Sequence, residues 1–474
     1  MRSYIPGASS AGLFVAALAA RPRLLGHNRV RSAAGGPRCA ALGSLSAAIS
    51  DAAFSHAVER AVQERGYPHQ LELPHFLSAC GLSGDGVAFV PGAPAPEEAP
   101  LVLDVRSPCE FAKGHLPGAV NMPLFSDEER AVVGTLYKQQ GPEEAVAKGV
   151  RLIEASWRGM VDALPPKARE GGRLLVYCKR GGMRSGGAAW LLSQLPLEVV
   201  TLRGGYQGFR RWVREEAFQA LDRELVVLGG RTGSGKTDVL LAMAEARRAQ
   251  VVDLEGVAQH RGSSFGALGR PAQPSNEMYE NLLALQWAGL SPQAPVFIED
   301  EGAHVGRCGV PAGLWARMRA EKTRVVRLEV PRETRVARLV AEYGSHAPDE
   351  LAECVMSGEM SERRCPRERD AWPSATAREG GPAHISAYLA PARLRCVLKL
   401  ERKLGSGRAA SLVSLLLDRS PPALDEVADL LLTHYYDSMY EHQAKKRPGA
   451  VETLPCDTAD ADAAAAAILR HVGC

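Results

Sequence analysis

The sequence predicts an α/β protein in which a doubly wound parallel-sheet domain is followed by a phosphate-loop α/β domain and a helical C-terminal region. Three observations carry this expectation. Short unbroken apolar runs, the mark of strands buried on both faces, alternate with stretches of helical periodicity. One such run leads straight into a cysteine loop, Cys178-Lys179-Arg180-Gly181-Gly182-Met183-Arg184-Ser185, that opens a helical pattern. Another leads into Gly230-Arg231-Thr232-Gly233-Ser234-Gly235-Lys236-Thr237, which has the spacing of a phosphate-binding loop.

Residues 1–50 hold six arginines, seven serines and no Asp or Glu, the composition of a targeting peptide for a mitochondrion or plastid. A disordered tail on a cytoplasmic protein is the alternative, and Ala11–Ala20 behind Arg2 also has the outline of a secretory signal. Residues 51–100 are expected to supply a lead-in helix over Ala52–Gly66, capped by Ser50, and the Pro/Gly/Ala-rich linker Pro91–Pro100. The first domain is expected over 101–215, with strands at Leu101–Val105, Leu174–Tyr177 and Val199–Leu202 and a helix over Gly186–Leu195. A second domain, 216–344, enters through a helical connector over Arg211–Glu224. It has strands at Leu225–Leu228, Val251–Leu254, Pro295–Glu299 and Arg324–Val330, and a helix over Ser275–Trp287. Charge, prolines and glycines make 345–390 a loop or poorly ordered insertion, and 391–474 is expected as helical, chiefly through Leu394–Leu404 and Leu424–Tyr440.

A chain of 474 residues is long enough for two or three self-sufficient cores. No run approaches the roughly 18 apolar residues of a membrane span, so none is expected. The net charge of +3 does not by itself argue for nucleic acid. The ten cysteines form no Cys-x-x-Cys pair and no zinc-like cluster, so most are expected to be buried and inert.

Cys178 is the exception. A loop closing at a helix N-terminus turns its amides inward and adds the positive end of the helix dipole, which stabilises a thiolate and a bound oxyanion. Arg180 and Arg184 are expected to add further charge, while Asp104 and Arg106 are expected to organise the sheet end, His115 to be a satisfied turn histidine and Cys109 to be inert. The spacing from Cys178 to Arg184 also equals that of a cysteine-dependent phosphatase loop, so dephosphorylation stays open at this point. In the second loop, amides around Gly230, Gly233 and Gly235 would wrap a diphosphate, Lys236 would neutralise it, and Thr237 would ligate Mg²⁺. Glu299-Asp300-Glu301, at a strand end, is either a further site of metal or water contact or a set of solvated strand-end acids. No tightly bound organic cofactor is expected.

Asp104-Val105-Arg106-Ser107-Pro108-x-Glu110-Phe111 and Gly114-His115-Leu116-Pro117-Gly118-Ala119 resemble the opening of rhodanese domains. With both loops, Val133-Gly134-Thr135-Leu136-Tyr137-Lys138-Gln139-Gln140-Gly141-Pro142, Gly204-Gly205-Tyr206, Asp253-Leu254-Glu255-Gly256, His260-Arg261-Gly262-Ser263, Gln273-Pro274-Ser275 and Tyr435-Tyr436-Asp437, most of residues 100–445 resembles the tRNA 2-selenouridine synthases. The resemblance implies exchange of sulfur for selenium at C2 of wobble 2-thiouridine in tRNA, with selenophosphate as donor and selenophosphate synthetase as its supplier. It also implies transfer of a geranyl group from geranyl diphosphate to the thiocarbonyl sulfur. On this reading Cys178 handles selenium, Arg180 and Arg184 orient the donor, Lys236 and Thr237 hold diphosphate, His260 and Arg261 either meet RNA or diphosphate or form a structural turn, and Tyr435 and Tyr436 meet RNA or substrate beside Lys445-Lys446-Arg447. A solvated basic face is the simpler reading of that last run. Two positions depart from the family pattern: Lys179 stands in place of an aromatic residue, and Gly302-Ala303 in place of Ser-Arg. The competing readings are a cysteine-dependent phosphatase fused to a P-loop nucleotide hydrolase, and a non-catalytic sulfur carrier.

Overall fold

The structure, a computed structural model, describes residues 69–82, 100–164, 172–193, 195, 197–219, 224–246, 249–344, 346, 404–417, 423–456 and 460–473. The expected targeting segment, the helix over Ala52–Gly66, nearly all of the linker Pro91–Pro100 and of the loop 345–390, and Leu394–Leu404 except its last residue lie outside them. The chain divides into two compact units, residues 1–217 with 284–289 and residues 218–283 with 290–474.

In the first unit the elements run β1 (Gln70–Leu71), α1 (Leu73–Ala79), β2 (Leu101–Asp104), α2 (Pro108–Lys113), β3 (Val120–Asn121), α3 (Asp127–Gln139), α4 (Pro142–Asp162), β4 (Gly172–Tyr177), α5 (Met183–Leu192), β5 (Leu197–Leu202) and α6 (Gly205–Glu215). The strands form one parallel sheet in the order β1-β5-β4-β2-β3. Leu103, Leu174, Val176 and Val199 meet Val146, Val150 and Ile153 of α4 and Ala188, Ala189 and Leu192 of α5 in its core. Parallel strands put all their C-terminal ends on one edge, so the loops after β2, β4 and β5 gather there. Strand β1 lies within 51–100, between the expected helix Ala52–Gly66 and the expected linker Pro91–Pro100; two residues carry no periodicity to reveal it.

The second unit runs β6 (Leu225–Gly230), α7 (Lys236–Glu245), β7 (Gln250–Val252), α8 (Leu254–Ala258), α9 (Asn276–Ala288), β8 (Val296–Glu299), β9 (His304–Val305), β10 (Cys308–Gly309), α10 (Ala312–Met318), β11 (Arg324–Glu329) and α11 (Arg332–Tyr343). It continues with α12 (Ser406–Leu417), α13 (Leu424–Leu431), a π-helical turn (Leu432–Tyr436), α14 (Asp437–Ala444), β12 (Val451–Pro455) and α15 (Ala461–Val472). Its parallel sheet has the order β12-β11-β6-β8-β7, and β9 pairs antiparallel with β10. Val226, Leu228, Phe297 and Val326 pack with Val239 and Met243 of α7 and Ile468 of α15. A second core joins α11 to α12, α13 and the π turn through Leu339, Leu412, Leu416, Leu431 and Tyr436. The C-terminal region is helical but also supplies β12. That strand is an edge strand ending at a proline, without the apolar face that would mark it in sequence.

Candidate active sites at the cysteine loop and the phosphate loop

Strand β4 is buried through Tyr177 and delivers Cys178, itself buried, to the sheet edge. Its Sγ lies 3.2 Å from the Ser185 hydroxyl, which donates to the Gly182 carbonyl at 3.2 Å. Helix α5 starts at Met183, and Gly182 brings no capping side chain, which leaves the first-turn amides to the loop. Gly181 and Gly205 both have positive φ, +66° and +55°. A Cβ on Gly205 would stand 2.4 Å from the Cys178 carbonyl oxygen and 2.4 Å from the Gly181 nitrogen. Glycine is therefore required where the β5–α6 turn crosses the loop. That turn donates Tyr206 N–H to the Cys178 carbonyl at 2.9 Å and Gln207 N–H to the Lys179 carbonyl at 2.8 Å.

Asp104 and Arg106 do organise the sheet end. Both are buried, Arg106 Nη2 meets Asp104 Oδ2 at 2.6 Å and the Gly114 carbonyl at 2.7 Å, and the guanidinium lies 3.8 Å from the Tyr206 ring centroid. His115 stacks on Phe111 at 3.8 Å with its Nδ1 3.1 Å from the Phe111 carbonyl, and burial lowers its pKa. Arg180 is exposed, its Nε donating to Gln207 at 3.3 Å. Arg184 pairs with Glu110 at 2.6 Å. Burial works against the Glu110 carboxylate, but Arg184 outweighs it, and the Ser107 amide and Arg130 help hold the pKa below the usual value.

Strand β6 is buried along its whole length and enters the phosphate loop at Gly230. Gly233 and Gly235 have φ of +81° and +74°, and α11 lies against both: a Cβ on Gly233 would stand 2.9 Å from the Arg335 carbonyl, one on Gly235 1.7 Å from Arg338 Nη1. Arg335 is buried, bonds Asp437 at 2.7 and 2.9 Å and donates to the Thr232 carbonyl at 3.3 Å; Arg338 donates to the Ser234 carbonyl at 2.5 Å. Lys236 Nζ folds back to the Gly230 carbonyl at 3.2 Å, and Thr237 Oγ1 donates to Glu255 at 2.9 Å.

Carboxylates crowd this end of the sheet. Glu299 is fully buried, accepting from the Leu254 amide at 2.9 Å, while Asp300 pairs with Arg447 at 3.0 Å and Arg319 at 3.5 Å. Burial and neighbouring carboxylates push Glu255 up to about 7 and Glu299 well above the usual range; burial and Asp300 also raise Glu301. Burial opposes the charge on Lys236, but Glu301 and Glu255 outweigh it and raise its pKa. Among the described residues no three His, Cys or acidic side chains converge as a ready metal cage. A hydroxyl and a carboxylate, Thr237 with Glu255, nonetheless form a hard oxygen donor set of the kind that holds Mg²⁺ together with substrate phosphates.

A cavity of about 800 Å³ opens at the loop, lined by Gly230, Gly233, Gly235, Lys236, Thr237, Glu255, Arg261, Arg338, Tyr343, Tyr435, Tyr436 and Tyr440 among others. Of the residues expected to meet RNA or substrate, Arg261, Tyr435 and Tyr436 are brought to this cavity. Arg261 is engaged there by Glu342 at 2.5 Å and the Leu268 carbonyl at 2.8 Å. His260 is buried off the cavity wall, its Nδ1 accepting from the Gly262 amide at 3.1 Å. The π turn adds a residue to the helical period, so neighbouring Tyr435 and Tyr436 both reach the wall. Arg447 does not sit on a solvated basic face, because its side chain is buried against Asp300, whereas Lys445 and Lys446 are exposed. Sequence reasoning missed Arg338, Tyr440 and the role of Glu255. The i, i+3 pair Arg335 and Arg338, and Tyr440 one turn after Tyr436, were the available signals.

A family model for the tRNA 2-selenouridine synthase AAA domain matches residues 223–467, and one for the rhodanese-like domain matches residues 93–211. The chain is 36% identical over 377 residues to the tRNA 2-selenouridine synthase of Bordetella bronchiseptica (strain ATCC BAA-588 / NCTC 13252 / RB50), covering 75% of this chain and 90% of that protein. It is 33% identical over 364 residues to that of Proteus mirabilis (strain HI4320), covering 73% and 89%. It is 34% identical over 366 residues to that of Pseudomonas entomophila (strain L48), covering 74% and 89%. With both its domains matched and nine-tenths of a relative's length aligned, this chain belongs to the tRNA 2-selenouridine synthase family.

Proposed function

We propose that this enzyme replaces the sulfur at C2 of wobble 2-thiouridine in tRNA by selenium, drawing selenium from selenophosphate and passing through an S-geranyl intermediate made from geranyl diphosphate. The observation that carries the reading is the chemistry of the phosphate-loop cavity. Its wall passes from Lys236, Thr237 and Arg338, which suit a diphosphate, to Leu241, Leu339, Tyr435, Tyr436 and Met439, which suit a hydrocarbon.

In the first step the thiocarbonyl sulfur attacks C1 of the geranyl group, the C–O bond breaks, diphosphate leaves with the bonding pair, and the N3 proton of the thiouridine passes to solvent. Loop amides, Lys236 and Arg338 meet the charge that grows on the leaving oxygen. Mg²⁺, when bound by Thr237 and Glu255, would add to that neutralisation. In the second step selenophosphate adds through selenium at C2 and geranyl thiol departs with a proton. Water then cleaves the Se–P bond, leaving 2-selenouridine and phosphate without any change of oxidation state. Cys178, in the loop that runs into α5, handles the selenium donor, with exposed Arg180 beside it. Arg184, paired with Glu110, braces the loop from its helix end.

The test is mass spectrometry of nucleosides from 2-thiouridine tRNA incubated with the enzyme, geranyl diphosphate, Mg²⁺ and selenophosphate. We expect 2-selenouridine from the wild type, S-geranyl nucleoside accumulating with Cys178→Ala, and unchanged 2-thiouridine with Lys236→Ala. Unchanged tRNA with the wild type, accompanied by phosphate release from small esters, contradicts the reading. The composition of residues 1–50 supports an organellar address. A fluorescent fusion of that segment should enter mitochondria or plastids, and a diffuse cytoplasmic signal would overturn this.

A further inference from the structure

A second, smaller cavity adjoins the phosphate-loop cavity and differs from it in chemistry. It measures about 50 Å³, and its wall is almost wholly aliphatic and aromatic: Phe265, Val340, Leu416, Val427, Ala428 and Leu431 are among the residues that close it. Thr232, Ser263, Leu339, Tyr343 and Tyr436 line both cavities, so the two abut. Thr232 belongs to the phosphate loop itself. The annex therefore shares a wall with the cavity that the phosphate loop lines and sits within the helical core of α11, α12 and α13.

We infer that this annex receives the far end of the substrate's hydrocarbon chain and sets the chain length that the enzyme accepts. The inference rests on the reading of the large cavity as the allylic diphosphate site. Size supplies the argument. An apolar cavity of about 150 Å³ holds benzene, so one of about a third that volume holds roughly two or three carbons. That suits the branched terminus of a ten-carbon chain whose first carbons lie in the large cavity, and the annex itself has no room for a further five-carbon unit. Ala428 and Leu431, both buried, are the residues whose volume decides this: a larger side chain at 428 fills the annex, a smaller one at 431 extends it. Neither lines the diphosphate cavity, so neither change touches the phosphate loop.

The experiment uses the full chain with 2-thiouridine tRNA and compares kcat/KM for dimethylallyl, geranyl and farnesyl diphosphate, read as alkylated nucleoside. A single methylene in an apolar pocket changes such selectivity by about ten- to two-hundredfold. Ala428→Leu is expected to lower the geranyl-to-dimethylallyl ratio at least about tenfold, and Leu431→Ala to raise the farnesyl-to-geranyl ratio by a similar factor. Ratios measured within one preparation are independent of its folded fraction. Wild-type geranylation with both ratios unmoved in the variants overturns the annex while leaving the proposed function standing. Wild-type protein that alkylates tRNA with none of the three diphosphates overturns both.

Discussion

Glu110 shows how one side chain can bind two parts of a site. It caps α2 from its first turn and holds Arg184 of the cysteine loop at 2.6 Å. Its pKa is lowered in the folded protein, so the pair's contribution is full above the ordinary value of 4.5 and is lost as pH falls through the lower folded value. In urea titrations at pH 6 and pH 3.5, Glu110→Gln should show a smaller drop in midpoint than the wild type; an equal drop would remove Glu110 from the account. Arg338 is the corresponding residue of the second site, placed on the cavity wall and bonded to the Ser234 carbonyl. Arg338→Ala should lower the rate of prenyl transfer about 10²- to 10³-fold, the usual cost of removing one donor to a developing anion. Single-turnover assays with saturating geranyl diphosphate test this, and an unchanged rate would contradict it.

At the scale of elements, a crossing turn fixes the cysteine loop and helix α11 backs the phosphate loop. Gly205→Ala carries the left-handed strain of about 1–2 kcal/mol and also drives a Cβ into the Cys178 carbonyl. Gly118→Ala, at φ +79° with nothing within 4 Å, carries the strain alone. Denaturant unfolding should rank Gly205→Ala as the more damaging, and selenation should fall at least about tenfold in that variant only; equal effects would contradict the crossing-turn account. Arg335 and Asp437 tie α11 to α14 behind the phosphate loop. Arg335→Met should cost about 3–5 kcal/mol, because it leaves a largely buried carboxylate unpaired, and Arg335→Met/Asp437→Leu should recover much of that. A double-mutant cycle without coupling would contradict it.

These elements also mark what the sequence reveals. Strands such as β4 and β6 were legible because parallel strands buried on both faces read as apolar runs, and each ends in a loop of fixed spacing. Strands β1 and β12 were not, one being two residues long and the other an edge strand with exposed positions. Cys178 and Lys236 were legible from local spacing. Arg338 and the Glu110–Arg184 pair depend on which helix comes to lie over which loop, and Arg447 read as surface because its partner Asp300 is far away in sequence.

In the molecule as a whole, two parallel-sheet units each end their strands at a candidate site, one a loop with a buried thiol and the other a phosphate loop. The proposed function assigns the alkylation step to the second unit and the selenium step to the first. Cutting one site should therefore spare the other's half-reaction. The most direct measurement supplies tRNA already S-geranylated at C2, with selenophosphate and no geranyl diphosphate, to Lys236→Ala and Cys178→Ala variants, and follows 2-selenouridine by mass spectrometry. The account predicts near wild-type conversion by Lys236→Ala and none by Cys178→Ala; conversion lost in Lys236→Ala, or retained in Cys178→Ala, would contradict the division of labour.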